Sequence, residues 1–215
     1  MSRTRTTAVA LSLAVAAGAG LLTAPAASAA PAGTTPHHTP STCRGEGVDP
    51  DARIRYETDI MIKAPLATVF KLQTDVERWP SWQAAVETME RLDSGRLRKG
   101  SQFRWTTPAP PTTGTPATTM EITSTVRQLQ HGSCILWAGP AVGEGARIDE
   151  GVHLWTFRKV RGGVRVHTVE TWTGDQVESL PNATELLGGG LEAWLQDLKK
   201  TAEARAAGHR DAARD

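Results

Sequence analysis

The stretch IMIKAPLATVFKLQTDVERWPSWQAAV, residues 60–86, decides how the chain is arranged because its pattern changes from strand-like to helix-like at Pro65. Just upstream, residues 54–60 alternate apolar or neutral side chains with charged ones, which is the period-two pattern of a strand. Pro65 ends that strand and suits the first turn of a helix. The apolar residues that follow recur at helical spacing as far as Pro80. Ser81 is expected to cap a second short helix, SWQAAVETM.

Most of the chain beyond this corner is predicted to be strand and turn. The predicted strands are SQFRWTT (101–107), TTMEITSTVRQL (118–129), CILWAG (134–139), EGVHLWTFRKV (150–160) and VRVHTVETWTG (164–174). Gly162 and Gly163 separate the last two strands and are typical of a hairpin turn. Residues 108–116, PAPPTTGTP, are expected to form a loop because proline cannot pair in a ladder.

The C-terminal part of the chain predicts one long amphipathic helix, LLGGGLEAWLQDLKKTAEARAAG, residues 186–208. Leucines at helical spacing from Leu187 to Leu198 form its apolar stripe, with Trp194 beside them. Strand, two short helices, a run of antiparallel strands and one long helix indicate a two-layer α+β fold. Gly188 to Gly190 lie at the expected start of the helix, either as a flexible gate or as a plain linker.

The N-terminal segment predicts export. Arg3 and Arg5 precede an apolar run over residues 8–22, and Ala27-Ser28-Ala29 is typical of a signal-peptidase site. The run is too short for a membrane span, so we expect cleavage after Ala29, secretion by the general pathway and no stable membrane insertion afterwards. Of 24 basic and 23 acidic residues, cleavage removes two basic ones and leaves a net charge of about −1. This balance argues against nucleic acid as a partner.

Composition predicts one folded domain over residues 51–208. It follows the signal peptide, residues 1–29, and a disordered Pro/Thr-rich leader, residues 30–50; residues 209–215 form a disordered tail. The two cysteines, Cys43 and Cys134, either form a disulfide in an exported protein or are unrelated. No residue spacing indicates a metal site or another cofactor.

Residues 60–86 resemble the opening of the START-like, or SRPBCC, superfamily, in particular its polyketide cyclase/dehydrase and lipid-transport branch. The resemblance continues through the hairpin GGVRVHTVETWTG and the ending LEAWLQDLKKTAE and covers roughly residues 53–205. It implies a helix-grip fold, in which a curved antiparallel sheet wraps a long C-terminal helix around an apolar cavity. It also implies binding of lipids, sterols, polyketides or other hydrophobic molecules, with cyclisation or dehydration in some members. It carries over no catalytic residue. The predicted secretion signal and the insert at 108–116 depart from the family pattern.

The last hairpin predicts one wall of that cavity, because alternate side chains of a strand share a face. With Gly162 and Gly163 as the turn, the expected facing pairs are Phe157 with Thr168, Trp155 with Glu170, and His153 with Trp172. This face combines large aromatic rings with a few polar groups, as ligand pockets do. The same rings can equally serve as core packing with no room for a ligand.

Further lining residues are expected from other elements. We expect Trp105 and Trp137 at the rims of the cavity and Leu191 on the helix. Trp79 is expected to anchor the helical corner in the core, and Trp82 to line the cavity mouth.

His153 and Glu170 are the candidate catalytic pair. An inward carboxylate is costly unless it is paired or hydrated, so Glu170 is expected to pair diagonally with His153, to orient a ligand, or to act with His153 as general acid and base. Three functions follow. The first is stoichiometric binding of a hydrophobic small molecule, and the alternative is catalysis by a cyclase or dehydratase of the polyketide cyclase type. In the third, the protein's own side chains fill the cavity and the protein acts through its surface. No nucleotide-binding loop or nucleophile elbow favours another enzyme class.

Overall fold

The structure is a computed structural model that describes residues 41–112 and 115–211. The predicted signal peptide, its cleavage site and residues 30–40 lie outside this part of the chain. Its strands are β1 (Ile54–Ile62), β2 (Thr88–Arg91), β3 (Gln102–Ala109), β4 (Thr118–Gln130), β5 (Cys134–Gly143), β6 (Ala146–Val160) and β7 (Gly163–Thr173). Its helices are α1 (Leu66–Thr74), a 3₁₀ helix (Val76–Ser81), α2 (Asp175–Glu178) and α3 (Ala183–Asp211).

The seven strands of the described residues form one antiparallel sheet in the order β1-β7-β6-β5-β4-β3-β2. Helix α3 packs on its inner face, and a core of buried apolar residues from α1, α3 and the sheet lies between them. The predicted α+β helix-grip fold, with short helices after the first strand, is confirmed. No helix in the described part of the chain combines the length and apolarity needed to cross a membrane.

The corner after α1 is a 3₁₀ helix, and the predicted helix from Ser81 does not form. Ser81 donates to the carbonyl of Arg78 at 2.6 Å and so lies at the end of the 3₁₀ helix, whereas residues 88–91 extend as β2. Trp79 is fully buried, and its Nε1 donates to the carbonyl of Gln73 at 3.1 Å. Trp79 therefore anchors this corner in the core, as predicted.

The turn between β6 and β7 lies one residue earlier than predicted. Val160 pairs with Gly163, so the two-residue loop is Arg161-Gly162. Gly163 belongs to β7, where a β-carbon would lie 2.1 Å from the carbonyl oxygen of Ile62 on the neighbouring strand. This close approach fixes the register. Each predicted facing partner moves by two positions, and because two is an even number every side chain keeps its predicted face.

A second apolar cluster covers part of the outer face of the sheet. Cys43 and Cys134 form a disulfide with a Cα–Cα distance of 5.5 Å, and Cys43 is fully buried. The bridge packs against Leu136, Leu154 and Val169. Residues 41–50, predicted as the end of the disordered leader, therefore belong to the described domain, because the bridge and these contacts hold them on the sheet. At the other end, α3 continues three residues past the predicted boundary at residue 208.

Helix α3 begins at Ala183, so Gly188 to Gly190 lie inside the helix rather than at its start. At Gly188 a β-carbon would lie 2.7 Å from the Tyr56 ring, whereas at Gly189 and Gly190 it would meet nothing within 4 Å. Gly188 thus allows close packing of helix and strand. The next two glycines are exposed and have room for a side chain.

Candidate ligand-binding cavity

A cavity of about 520 Å³ lies between the inner face of the sheet and helix α3. Its volume falls within the range of sites that hold drug-sized molecules. The wall is mainly apolar and comes from strands β3 to β7 together with α2 and α3. Its large apolar side chains are Trp105, Met120, Ile122, Trp137, Ile148, Trp172, Val177, Leu180, Leu186, Leu187, Leu191 and Trp194.

Four tryptophan rings form much of the wall: Trp105, Trp137, Trp172 and Trp194. The rings of Trp105 and Trp194 meet edge to face with centroids 5.5 Å apart. Trp194 Nε1 donates to the side-chain oxygen of Gln73 at 3.1 Å, which fixes its ring. Trp194 was missed as a lining residue in the sequence, although its position three residues after Leu191 places both on one helix face. Such rings offer flat surfaces for an apolar or aromatic ligand.

Three of the predicted lining residues lie in the packed core instead. Trp155 is fully buried among other rings, and Phe157 packs edge to face on Phe70 with centroids 5.3 Å apart. Trp82 is half-buried against the main core. All three lie outside the cavity wall. Side chains of α1 and of α3 from Trp194 onward pack into the core around them and leave no cavity there. For Trp155 and Phe157 the core-packing alternative describes the structure, whereas Trp82 packs against the core and not at the cavity, where it was expected.

The remaining predicted residues meet around the cavity: Trp105, Trp137, His153, Glu170, Trp172 and Leu191. Strand pairing brings together those on the sheet, since Trp137 faces His153 across β5 and β6 and His153 faces Glu170 across β6 and β7. The sequence had placed Trp172 opposite His153. The structure replaces it by Glu170 because of the shifted turn. Binding of a ligand by these six residues stays a prediction.

His153 and Glu170 form a direct, nearly buried pair on the cavity wall. Nδ1 of His153 lies 2.9 Å from Oε2 of Glu170, and the two side chains are 6% and 16% exposed. The other carboxyl oxygen of Glu170 accepts a hydrogen bond of 2.8 Å from Trp172 Nε1. His153 Nε2 lies 2.8 Å from the hydroxyl of Thr168, which is fully buried. The Glu170 carboxylate, whose burial would be costly without partners, therefore has two of them, His153 and Trp172.

A phenol lies next to this pair on the edge strand. Tyr56 faces Glu170 across β1 and β7, and its hydroxyl donates to Glu192 of α3 at 2.5 Å. That hydrogen bond raises the pKa of Tyr56. Tyr56 thus ties the sheet edge to the helix beside the cavity and remains a neutral phenol.

The cavity wall also includes segments whose role sequence reasoning missed. Pro108 and Pro110, from the proline-rich insert, lie in the wall together with Gln176 of α2. The carbonyl oxygen of Gly145, in the turn between β5 and β6, accepts hydrogen bonds from Thr115 at 3.3 Å and from Gln176 at 2.5 Å. This carbonyl oxygen therefore links the proline-rich insert and helix α2 to the turn between β5 and β6. The predicted candidate for the mouth, Trp82, lies elsewhere.

Among the residues that the structure describes, no three His, Cys, Asp or Glu side chains are grouped so as to hold a metal ion. The polar side chains of the cavity wall include the carboxyl groups of Glu170 and Glu185, the imidazole of His153, the guanidinium of Arg147, the amide of Gln176 and several hydroxyls.

The fold and the cavity between sheet and helix define a START-like, helix-grip protein. Residues 53–203 match the family described as polyketide cyclase / dehydrase and lipid transport, and the chain belongs to this family. The resemblance seen in the sequence is confirmed.

Solved structures similar to this chain share its fold at low sequence identity. A START superfamily protein from Mycobacterium smegmatis is 14% identical with a TM-score of 0.56, over 70% of this chain and 97% of that one. A protein from Thermus thermophilus is 18% identical with a TM-score of 0.54, over 71% and 99%. The di-domain ARO/CYC StfQ from the steffimycin biosynthetic pathway is 16% identical with a TM-score of 0.54, over 72% and 52%. No curated protein sequence is detectably similar.

Proposed function

We propose that this is a secreted protein that binds one hydrophobic small molecule, lipid-like or polyketide-like, in its internal cavity. The observation that carries the proposal is the cavity of about 520 Å³ between sheet and helix, walled mainly by apolar side chains. Apolar surface that a ligand buries there gains roughly 25 cal/mol per Å². Membership of a family described by lipid transport and polyketide chemistry agrees with this function.

The cavity gives a ligand both contact area and orientation. The indole rings of Trp105, Trp137 and Trp194 provide rigid apolar surfaces. Glu170 and His153 place polar atoms at one side of an otherwise apolar wall. A site with few, fixed polar groups orients an apolar molecule through a single polar substituent.

Two observations support secretion. The N-terminal 29 residues have the charged start, apolar run and small-x-small ending of a signal peptide. The Cys43–Cys134 disulfide is of the kind that persists in oxidising compartments outside the cytosol. Expression of the full chain in a secreting bacterial host tests this part. We expect the protein in the medium, with Ala30 as its first residue by N-terminal sequencing.

Native mass spectrometry of the secreted chain tests binding. We expect a stoichiometric adduct whose small molecule is released by organic solvent and identified by its mass. An apo mass, together with failure to take up an environment-sensitive hydrophobic dye, would reject the cavity as a binding site and favour action through the surface.

A cyclase or dehydratase is the second candidate function, and the His153–Glu170 contact of 2.9 Å on the cavity wall favours it. A carboxyl–imidazole pair can move a proton to or from a bound substrate. Incubation of the identified ligand with catalytic amounts of protein separates the two functions. Binding alone leaves the ligand intact, whereas catalysis consumes it, and a Glu170→Gln variant should then bind without turnover.

A further inference from the structure

The hydrogen bonds around His153 form a chain whose members can be assigned as donors and acceptors. The Thr168 hydroxyl lies 2.8 Å from His153 Nε2 and 3.2 Å from the carbonyl oxygen of Leu154. A carbonyl oxygen only accepts, and a hydroxyl has one proton to donate. Both contacts are hydrogen bonds at once only if Thr168 donates to Leu154 and His153 Nε2–H donates to Thr168. Buried polar groups generally use all such contacts.

This assignment places one further proton between His153 and Glu170. With Nε2 protonated, Nδ1 of a neutral imidazole is an acceptor, and an ionised carboxylate is also only an acceptor. Their contact of 2.9 Å therefore contains one proton, on Nδ1 or on Oε2. The charges of the two side chains sum to zero in either case. Two titratable neighbours, Tyr56 and Glu192, are already bonded to each other.

Every donor at this point of the wall is then in use. His153 Nε2–H bonds to Thr168, the shared proton lies between the pair, and Trp172 Nε1–H bonds to Glu170 Oε1. What remains is the free acceptor capacity of the Glu170 oxygens. A ligand can therefore donate a hydrogen bond here but can receive none.

The other basic side chain of the described wall lies six residues before His153 along β6, away from the pair. Arg147 is the remaining basic residue of the described wall, and its Nε lies 2.5 Å from Asp149 Oδ1. Glu185 adds a negative charge on α3. A carboxylate or phosphate head group placed beside Glu170 would lose its hydration without gaining an unpaired cation there. An ammonium group would also lose its hydration, and a His153–Glu170 pair of zero net charge would not offset that cost.

We propose that the His153–Glu170 pair, with its shared proton, selects a ligand that presents a neutral hydroxyl group to Glu170 and rejects carboxylate and ammonium head groups. His153 and Thr168 act as positioning residues, because they set the protonation of the pair. The inference rests on the proposed binding function. It narrows the ligand class to hydroxylated, uncharged, largely apolar molecules.

A matched panel of anthracene, anthracenemethanol, anthracenecarboxylate and aminomethylanthracene tests the selection at pH 7, with quenching of tryptophan fluorescence as the readout. We expect the alcohol to bind about tenfold more tightly than anthracene, the worth of one hydrogen bond. The two charged compounds should bind at least about tenfold more weakly than the alcohol. Preference for either charged compound overturns the inference but leaves the binding function standing. Failure of all four to bind overturns both.

Two variants and one spectrum complete the test. In Glu170→Gln the amide N–H can donate to His153 Nδ1 in place of the shared proton, and the amide oxygen can still accept from Trp172 Nε1. That oxygen also remains an acceptor for the ligand hydroxyl, so this variant should keep the preference for the alcohol. Glu170→Met removes the acceptor and should reduce the ratio of alcohol to anthracene affinity to about one. Independently of any ligand, a long-range ¹H–¹⁵N spectrum should show His153 Nε2 protonated, its signals being those lost in His153→Gln. An unprotonated Nε2 would overturn the assignment.

Discussion

Alanine at Gly188 and alanine at Gly189 are expected to shift stability in opposite directions, although both changes add one methyl group to helix α3. At Gly188 the new β-carbon would lie 2.7, 2.9 and 3.0 Å from three atoms of the Tyr56 ring. At Gly189 it would meet nothing within 4 Å. The ring is held in place by its hydrogen bond to Glu192 on the same helix.

The magnitudes follow from two opposing effects. Replacing an interior helical glycine by alanine stabilises a helix by about 1 kcal/mol, and this gain applies at both positions. Carbon atoms prefer separations of about 3.5–4.0 Å, so at Gly188 the ring must move by roughly 1 Å, and such overpacking costs about 1–3 kcal/mol. We therefore expect Gly189→Ala to be more stable than the natural protein by about 1 kcal/mol. Gly188→Ala should be less stable than Gly189→Ala by about 1–3 kcal/mol.

Urea unfolding followed by tryptophan fluorescence measures this difference. With an m-value of about 2 kcal/mol/M, the two midpoints should differ by about 0.5–1.5 M. A Tyr56→Ala background serves as the control, since Gly188→Ala should become stabilising once the ring is absent. Equal midpoints of the two single variants would refute the argument that Tyr56 excludes a side chain at Gly188. They would favour a flexible glycine gate instead.

Three further predictions concern stability. Trp79→Ala should lower the free energy of unfolding by about 3–5 kcal/mol because Trp79 is fully buried, whereas Trp82→Ala, at a half-buried position, should lower it by half as much or less in the same urea assay. Replacing Cys43 and Cys134 by serine should cost about 4–5 kcal/mol by chain entropy, given their sequence separation of 91, and a loss below about 1 kcal/mol would contradict this. Burial lowers the pKa of His167, so the unfolded chain takes up its proton first and stability should fall as the pH drops below about 6.5. His167→Asn should make that fall smaller in unfolding curves at pH 7.5 and 5.5.

Local sequence patterns predicted the elements of the fold because each pattern reports a local geometry. Alternation over residues 54–60 and 118–129 marked strands with one buried face, and the leucine spacing after Leu187 marked the long helix. The helix start was placed too late, because glycines were interpreted as a boundary. In the structure Gly188 is required inside the helix by a tyrosine that lies 132 residues earlier in the chain.

For the hairpin between β6 and β7, the sequence pattern predicted the side-chain faces but not the pairing partners. Its side-chain faces were predicted correctly because face depends only on whether positions are odd or even along the strand. Its partners were not, because the register depends on the backbone contact of Gly163 with β1. A shift of the turn by one residue turned an expected diagonal contact of His153 and Glu170 into a direct one.

The sequence by itself determined the first helix, the long last helix and six of the seven strands of the described chain, together with the inward face of the last hairpin and the polar pair placed on it. Only the tertiary structure decided which aromatic rings are core and which are wall. Trp155 and Trp137 lie on the same face of the sheet, yet only Trp137 reaches the cavity. The reason is that side chains of α1 and α3 fill the space over Trp155, whereas a cavity lies between α3 and the sheet beside Trp137. Which region is filled depends on packing between residues far apart in the chain, which no local pattern records.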